Sequence, residues 1–391
     1  MKNISSYKLF NNFNSYHIFM FFMVSVIFFL NINHLSEQSI YQNTYLPLAN
    51  SLIENFSYTR LNEFSDTYPM WGYPILLSLF QYFGSAESIF FFQYLLAIIS
   101  LIIYFDISKE FSMNKRILSD IIFFFYTMIL SVKWPDAILA FCLMKFAYSH
   151  INKNFIIAAI FLGIAYNFRS EALFFLLFYI FYIIITEKNV KTSLALFFIC
   201  PWILFQFYNH GSFIPTATNS GGVLYISLGQ LPNNKWDRIH LDEEAEKFVI
   251  LQSNGNIIDP WSYQGSQILT NQFKKDIYQH PFEFIKKTVY NTFSILKGGV
   301  YRLEPHHIFM DHSQSQFLIK HYRKNKSELI RDSLMFNKNA ISITSLIILD
   351  IFSKIFFFFL LVYCSYLVYK KYIPITNIFL FLVMIQMSIC I

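Results

Sequence analysis

The distribution of apolar residues restricts the fold of this chain more than any other feature of its sequence. Nine apolar stretches, several of them short, approach the length that a helix needs to cross a hydrocarbon core of ~30 Å. Charged residues make up only 14% of the chain, whereas soluble domains carry about 25%. The sequence therefore excludes a water-soluble globule and predicts an all-α polytopic membrane protein with about nine transmembrane helices. The stretches lie near residues 17–33, 88–105, 117–132, 137–150, 155–168, 172–186, 192–209, 341–369 and 374–391.

Basic residues in the connecting loops predict how the chain is oriented. With the N-terminus in the cytoplasm, only Lys133 and Arg169 lie in the short outer loops, as the positive-inside rule requires. The apolar run 72–84 must then stay on the outer side. Its 13 residues are too few for a span, which favours an interfacial helix on the outer leaflet. The loop residues assigned to the cytoplasm are Lys109, Lys115, Arg116, Lys153, Lys188, Lys191, Lys370 and Lys371.

This topology divides the chain into three parts. Residues 1–209 form an N-terminal transmembrane module, whose first outer loop is 34–87. Residues 210–340 form a mainly helical extracytoplasmic domain, and residues 341–391 supply the C-terminal transmembrane helices. In the extracytoplasmic domain, amphipathic patterns predict helices near 241–252, 264–279 and 281–297.

The charge of the chain indicates its partners only broadly. A formal net charge of +6 is spread over short loops and one long segment, without a basic block that could follow a phosphodiester backbone. We therefore expect membrane lipid as a partner and no nucleic acid.

Three charged residues stand at predicted outer turns, where charge at the end of a membrane helix indicates function. They are Asp136, Arg169 and Glu171. Each also has a structural interpretation. Asp136 could cap the following helix, Arg169 could reach lipid headgroups, and Glu171 could favour the first turn of the next helix.

A polar loop follows the apolar stretch that ends near residue 209. Within Pro201–Gly222 it is rich in Gly, Ser, Thr and Asn, and it ends in Asn219-Ser-Gly221-Gly222. Backbone N–H groups and hydroxyls of such a loop suit a phosphate or the hydroxyls of a sugar.

A cluster of His and acidic residues occurs between Glu304 and His312. His306, His307, Asp311 and His312 together are compatible with a divalent metal ion. Their spacing matches no zinc motif, so a solvated loop or a surface facing headgroups is the favoured interpretation.

Taken in order, several of these pieces resemble the GT-C superfamily of polyprenyl-phosphate-sugar glycosyltransferases, which includes protein O-mannosyltransferases and the aminoarabinose transferase of lipid A. The resemblance covers about the first 225 residues, and only the ordered set of motifs is specific. The residues that carry it are Tyr45-x3-Ala49-x-Ser-Leu52, Tyr68-Pro-Met-Trp71-Gly-Tyr73-Pro74, Asp136, Phe168-Arg-Ser-Glu171, Pro201-Trp through Pro215, and Asn219-Ser-Gly-Gly222.

The resemblance implies an activity and assigns roles. It implies transfer of a sugar from a polyprenyl-phosphate-linked donor to a glycan, lipid or protein acceptor, on the outer face of a bacterial inner membrane. Arg169 would bind the donor phosphate, and Asp136 would orient the acceptor or hold a metal. The other residues assigned to donor binding are Tyr68, Trp71, Tyr73, Glu171, Asn219, Gly221 and Gly222.

The chain departs from the family pattern in its first outer loop. The family places a catalytic Asp about four residues before the tyrosine of the Tyr-x3-Ala motif, and Tyr41 stands there in this chain. Glu37 and Asp66 are the candidates to replace it, with Asp66 preferred. The expected chemistry is direct displacement at the anomeric carbon, in which a carboxylate removes the acceptor proton and the lipid phosphate leaves.

Two other functions stay open. A polymerase or ligase of lipid-linked glycans would suit the cluster at His306, but it suits the Tyr68–Pro74 motif less well. A transporter, or a relative that binds lipid-linked sugar without transferring it, would explain the missing Asp. A transporter is expected to show inverted repeats, and no internal repeat is visible in the sequence.

Overall fold

The structure, a computed structural model, describes two compact units made of helices. Unit 1 comprises Met1–Phe64 and Met70–Trp202, and unit 2 comprises Ser65–Pro69 and Ile203–Ile391. In the part of the chain described, every regular element is a helix, which confirms the all-α class. The residues that the structure describes are 18–22, 24–26, 28, 44–58, 69–108, 134–231, 233–239, 241–253 and 258–296.

Unit 1 is a stack of helices around α5, which packs against α4, α6 and a 3₁₀ helix. Several of these helices carry a proline in the first turn, where its missing N–H costs no hydrogen bond. The elements are α1 (Leu46–Asn55), α2 (Gly72–Phe83), α3 (Ser88–Ser108), α4 (Trp134–Ile151), α5 (Phe155–Tyr166), α6 (Ala172–Glu187), the 3₁₀ helix Val190–Phe198, and α7 (Cys200–His210), which runs on into unit 2.

The helix α2 occupies the apolar run for which a non-crossing position is predicted. It has 12 residues, which corresponds to about 18 Å at 1.5 Å per residue. That length is well short of the ~30 Å hydrocarbon core. The short helix therefore agrees with a segment that stays on one side.

One described helix is long and apolar enough to cross a membrane, namely the 20 residues Ser88–Ile107 within α3. A second span results if the 3₁₀ helix and α7, which meet at a bend of 41°, are counted as one broken span. The apolar helices α5 and α6 are shorter. A core helix of a soluble protein passes the same test, so the number of spans stays a prediction. The predicted spans at 117–132, 341–369 and 374–391 lie outside the described residues.

After α7, the described part of unit 2 contains four α-helices, and three of them, α9 to α11, lie where the amphipathic patterns predict. The helix α8 packs on α9 and α10 through the buried residues Tyr225, Val249 and Leu269. The helix α10 begins at an N-cap, Ser262, whose hydroxyl accepts a hydrogen bond from the N–H of Gly265 at 3.2 Å. The four helices are α8 (Ser220–Ser227), α9 (Asp242–Gln252), α10 (Tyr263–Gln279) and α11 (Pro281–Leu296).

Candidate functional site

An ion pair joins Asp136 to Arg169 in unit 1. Asp136 lies in the first turn of α4, and Arg169 lies in the turn between α5 and α6. The Nε of Arg169 donates a hydrogen bond to Oδ1 of Asp136 at 2.7 Å, and its Nη2 lies 2.7 Å from the same oxygen. The fold therefore brings together two of the predicted site residues, which are far apart in the sequence.

The pair is buried on the carboxylate side and open on the guanidinium side. The side chain of Asp136 is 5% exposed, and that of Arg169 is 31% exposed. A guanidinium has five N–H donors, and within the described residues only those that face Asp136 have a partner. The remaining donors, at a partly exposed position, suit the oxygens of a phosphate.

The charge of Arg169 is secured by its surroundings. Burial lowers the pKa of Arg169, but the attraction of Asp136, Tyr45 and Glu171 outweighs burial, so the pKa lies above its ordinary value. The guanidinium is therefore a permanent cation. Glu171 is exposed at the residue before α6, and Tyr45, at the residue before α1, is buried.

The turn that carries Arg169 is fixed to α2 by Asn167. The N–H of Gly72 donates to the backbone oxygen of Asn167 at 2.8 Å, and Nε1 of Trp71 donates to its Oδ1 at 2.7 Å. A Cβ added at Gly72 would stand 2.4 Å from the same backbone oxygen, so only glycine fits this approach. The Nδ2 of Asn167 donates to the backbone oxygens of Gly163 and Phe198 at 3.1 and 3.2 Å.

Asn167 is a site residue that sequence reasoning misses. The sequence indicates a role for it only through its position two residues before Arg169. The hydrogen bond from Trp71 to its side-chain oxygen is not encoded in any local pattern.

Aromatic residues pack behind this contact. The ring of Trp71 lies 5.7 Å from the fully buried ring of Trp202, and Tyr45 lies 5.0 Å from Tyr73. Tyr73 is fully buried, and its hydroxyl accepts a hydrogen bond from Nε2 of Gln93 at 3.3 Å. Tyr73, predicted to bind the donor, therefore acts in this structure by packing, whereas Trp71 is only partly buried.

The glycines predicted to bind phosphate lie in unit 2 and are used for helix packing. The N–H of Gly221 donates to Oγ of Ser266 at 2.9 Å, and a Cβ at Gly221 would collide with the backbone oxygen of Ser266 on α10. A Cβ at Gly222 would stand 2.4 Å from the ring of Trp261. Asn219 is partly buried at the residue before α8, without a side-chain capping bond. Close helix contact accounts for both glycines.

Several predicted site residues lie outside the part of the chain that the structure describes. They are Glu37, Asp66 and Tyr68 of the first outer loop, and His306, His307, Asp311 and His312 of the possible metal cluster. Within the described residues, no group of three or more His, Cys, Asp or Glu could hold a metal ion. The guanidinium of Arg169 already occupies Oδ1 of Asp136, so this carboxylate is better suited to holding the arginine than to holding a metal.

Models of protein families, curated proteins and solved structures give no match to this chain. The candidate site is therefore defined by its geometry, namely a fixed cation with unused donors beside a turn held by α2.

Proposed function

We propose that the chain is a membrane glycosyltransferase that moves a sugar from a polyprenyl-phosphate-linked donor to an acceptor on the extracytoplasmic face. One observation carries this proposal. Part of the motif set behind the resemblance to GT-C enzymes meets around Arg169 in unit 1, whereas Asn219–Gly222 lie in unit 2. Burying charged and polar side chains costs free energy unless hydrogen bonds or opposite charges compensate the loss of water. Nonspecific packing of an apolar chain would therefore not be expected to bring these residues together. The residues that meet are Tyr45, Asp136 and Glu171 directly, and Trp71 through Asn167.

The surface of α6 supports a position within a lipid environment. Phe174, Phe178, Phe181 and Ile185 form an exposed stripe at helical spacing, and the opposite face of α6 is buried. A continuous apolar stripe of this kind is unfavourable in water and favourable against acyl chains. Together with α3, it supports a membrane location for this part of the chain.

The proposed reaction is a single displacement. The acceptor hydroxyl oxygen forms a bond to the anomeric carbon while the bond from that carbon to the phosphate oxygen breaks. The lipid phosphate leaves with the electron pair, and a carboxylate takes the acceptor proton. Arg169 binds the phosphate oxygens and stabilises the charge that develops on them.

Asp136 has a positioning role in this scheme. A carboxylate whose Oδ1 contacts both Nε and Nη2 of a guanidinium fixes that guanidinium in place, and this oxygen is already engaged. The proton acceptor proposed here is Asp66 or Glu37, the two acids that the sequence suggests.

Transfer of a radiolabelled sugar by the full-length protein in detergent tests the proposal, with a panel of polyprenyl-phosphate sugars as donors. Removing Arg169 alone would leave Asp136 buried and unpaired, so the informative variants are Arg169→Lys and the double variant Asp136→Asn with Arg169→Gln. We expect the double variant to lose roughly 10²–10³-fold in rate, as when a donor to a developing anion is removed. Arg169→Lys, which keeps the charge without the planar fork, should fall between it and the wild type.

The matched control is Lys191→Gln, an exposed cation of unit 1 outside the site, which should transfer at the wild-type rate. A folded double variant with full activity would remove Arg169 from the mechanism. A wild-type protein that binds the lipid phosphate but consumes no donor would instead indicate a binder or transporter. Such a result would agree with the engaged state of Asp136 and the missing first-loop Asp.

A further inference from the structure

Unit 2 contains a polar cavity on one face of α10. Its volume is about 370 Å³, and it is open to solvent on one side. Tyr263, Ser266, Thr270 and Lys274 contribute to its wall at helical spacing, so they share one face of the helix. The other side is lined by Ile214 and Thr218 of the segment before α8 and by Ser220, the first residue of α8.

Half of the eight polar side chains that line this cavity have no protein partner among the described residues. These four make no described hydrogen bond or ion pair and are exposed or half-buried, so a ligand can reach them: Ser220, Thr270, Asn271 and Lys274. The opposite face of the same helix behaves differently, because Asp276 there bonds to Gln272 and Arg238. Unused donors and acceptors that converge on one cavity indicate a ligand of matching polarity.

The chemistry of the wall indicates the class of ligand. Hydroxyls and an amide can both donate and accept, which matches the hydroxyls of a sugar. Among the described residues that line the cavity, Lys274 is the one charged residue and none is acidic, so this wall favours one negative charge. The volume lies at the lower end of the ~300–1,000 Å³ range of ligand pockets, which suits a mono- or disaccharide.

A nucleotide base fits this cavity less well. The ring of Tyr263 is already stacked on His210 at 4.4 Å. Its hydroxyl donates to Oγ of Ser212 and accepts from Nε2 of Gln267. One face of the aromatic ring is therefore covered, and the described part of the wall offers no second ring that could clamp a base.

We propose that this cavity binds a saccharide that carries a carboxylate or a phosphate, with Lys274 pairing with the charge and Thr270 and Asn271 bonding to sugar hydroxyls. The binding site follows from unit 2 alone. Its use as the site of the acceptor glycan rests on the proposed glycosyltransferase function.

Binding to the full-length protein in detergent, measured by saturation-transfer NMR and calorimetry, tests the proposal. The probes are glucose, glucuronic acid, glucose 6-phosphate and inorganic phosphate. We expect both charged sugars to bind about tenfold more tightly than glucose, the size of one charge-assisted hydrogen bond. Lys274→Gln should remove that difference, and Thr270→Val should weaken all three sugars several-fold.

Matched controls separate a site effect from a change in net charge or fold. Lys275→Gln removes a neighbouring exposed cation that does not line the cavity, and Thr288→Val removes a hydroxyl on α11. Both controls should bind every probe as the wild type does.

Three results would overturn the proposal: no sugar bound by a folded protein, equal binding by Lys274→Gln and the wild type, or inorganic phosphate bound as tightly as glucose 6-phosphate and insensitive to Thr270→Val. These measurements involve no donor lipid and no transfer. A chain that binds charged sugars but transfers none would therefore sink the proposed function and leave the cavity assignment intact.

Discussion

Each unit of this protein contains a partly buried arginine–aspartate pair, and the two pairs are built differently. In unit 2, Nε and Nη2 of Arg238 lie 3.2 and 3.1 Å from Oδ2 of Asp276, while Oδ1 accepts from Gln272 at 2.7 Å. The guanidinium of Arg238 lies 4.6 Å from the centre of the Tyr225 ring and is 18% exposed. In unit 1, Arg169 likewise contacts one oxygen of Asp136 through Nε and Nη2, but its side chain is 31% exposed and no described aromatic ring lies over it.

The contrast distinguishes a pair that is covered within a core from a pair that is open enough to contact a ligand. In unit 2 both carboxylate oxygens are used and aromatic rings cover the cation, so the pair has no room for a ligand. In unit 1 no described aromatic ring covers the cation, and its side chain is more exposed. Both arginines contact their aspartate through Nε and Nη2, so the aromatic cover of Arg238 and the larger exposure of Arg169 separate them.

The largest expected effect concerns the closed pair. Asp276→Ala would leave Arg238 without its carboxylate, and we expect a loss of about 3–5 kcal/mol of stability, as for other broken buried pairs. Unfolding of the full-length protein, followed by tryptophan fluorescence, measures it, because Nε1 of Trp236 donates to the backbone oxygen of Asp276. Glu246→Ala, an exposed acid on α9, is the control. A stable Asp276→Ala protein would end the distinction between the two pairs.

The next effect concerns the turn that holds the open pair. Gly72→Ala would place a Cβ 2.4 Å from the backbone oxygen of Asn167, and neither backbone can yield freely. We expect about 1–3 kcal/mol of lost stability together with reduced transfer, because the turn that carries Arg169 must shift. Gly84→Ala is the matched control, since a Cβ there meets nothing within 4 Å. Equal activity of both alanine variants would show that α2 does not position Arg169.

The smallest expected effect is on the pH dependence of stability, and it concerns another cation of unit 2, Lys287. Burial lowers the pKa of Lys287, whose Nζ donates to Oγ of Ser227 at 2.9 Å. The unfolded chain therefore holds this proton up to a higher pH than the folded chain. Stability is reduced below the folded pKa and recovers as the pH rises towards the unfolded pKa, near 10.4 in model peptides.

Lys287→Met should weaken that rise in stability, and unfolding measured across the alkaline range would show it. Lys286→Met, at the exposed neighbouring position, should keep the wild-type profile. An unchanged profile in Lys287→Met would mean that solvent reaches this ammonium in the folded protein.

The sequence predicts elements of this fold better than contacts between them. The amphipathic patterns place α9, α10 and α11 within a residue or so of their observed bounds, because local periodicity is enough to define such helices. The shortness of α2 is equally legible. The pairing of Asp136 with Arg169, and of Arg238 with Asp276, depends on which helices become neighbours, and no local pattern encodes that.

Glycine is the residue type that misleads most here. Gly221 and Gly222 resemble a phosphate-binding loop in the sequence. A close contact between two segments of one chain also requires a residue without a Cβ, and in unit 2 these glycines contact Ser266 and Trp261. Gly72, by contrast, proves to be the glycine beside the candidate site. A glycine in the sequence can indicate that there is no room for a side chain, but it does not show which group occupies that space.

The hydrogen-bonding partners of Asn167 fix the orientation of its side-chain amide. Its oxygen faces a donor, Nε1 of Trp71, and its nitrogen faces two carbonyl oxygens. An aspartate of the same shape would set a second oxygen against those carbonyls, and a leucine would leave all three partners unsatisfied. Exchange of this one NH₂ for an oxygen, as in Asn167→Asp, would therefore disturb the candidate site with almost no change in side-chain size.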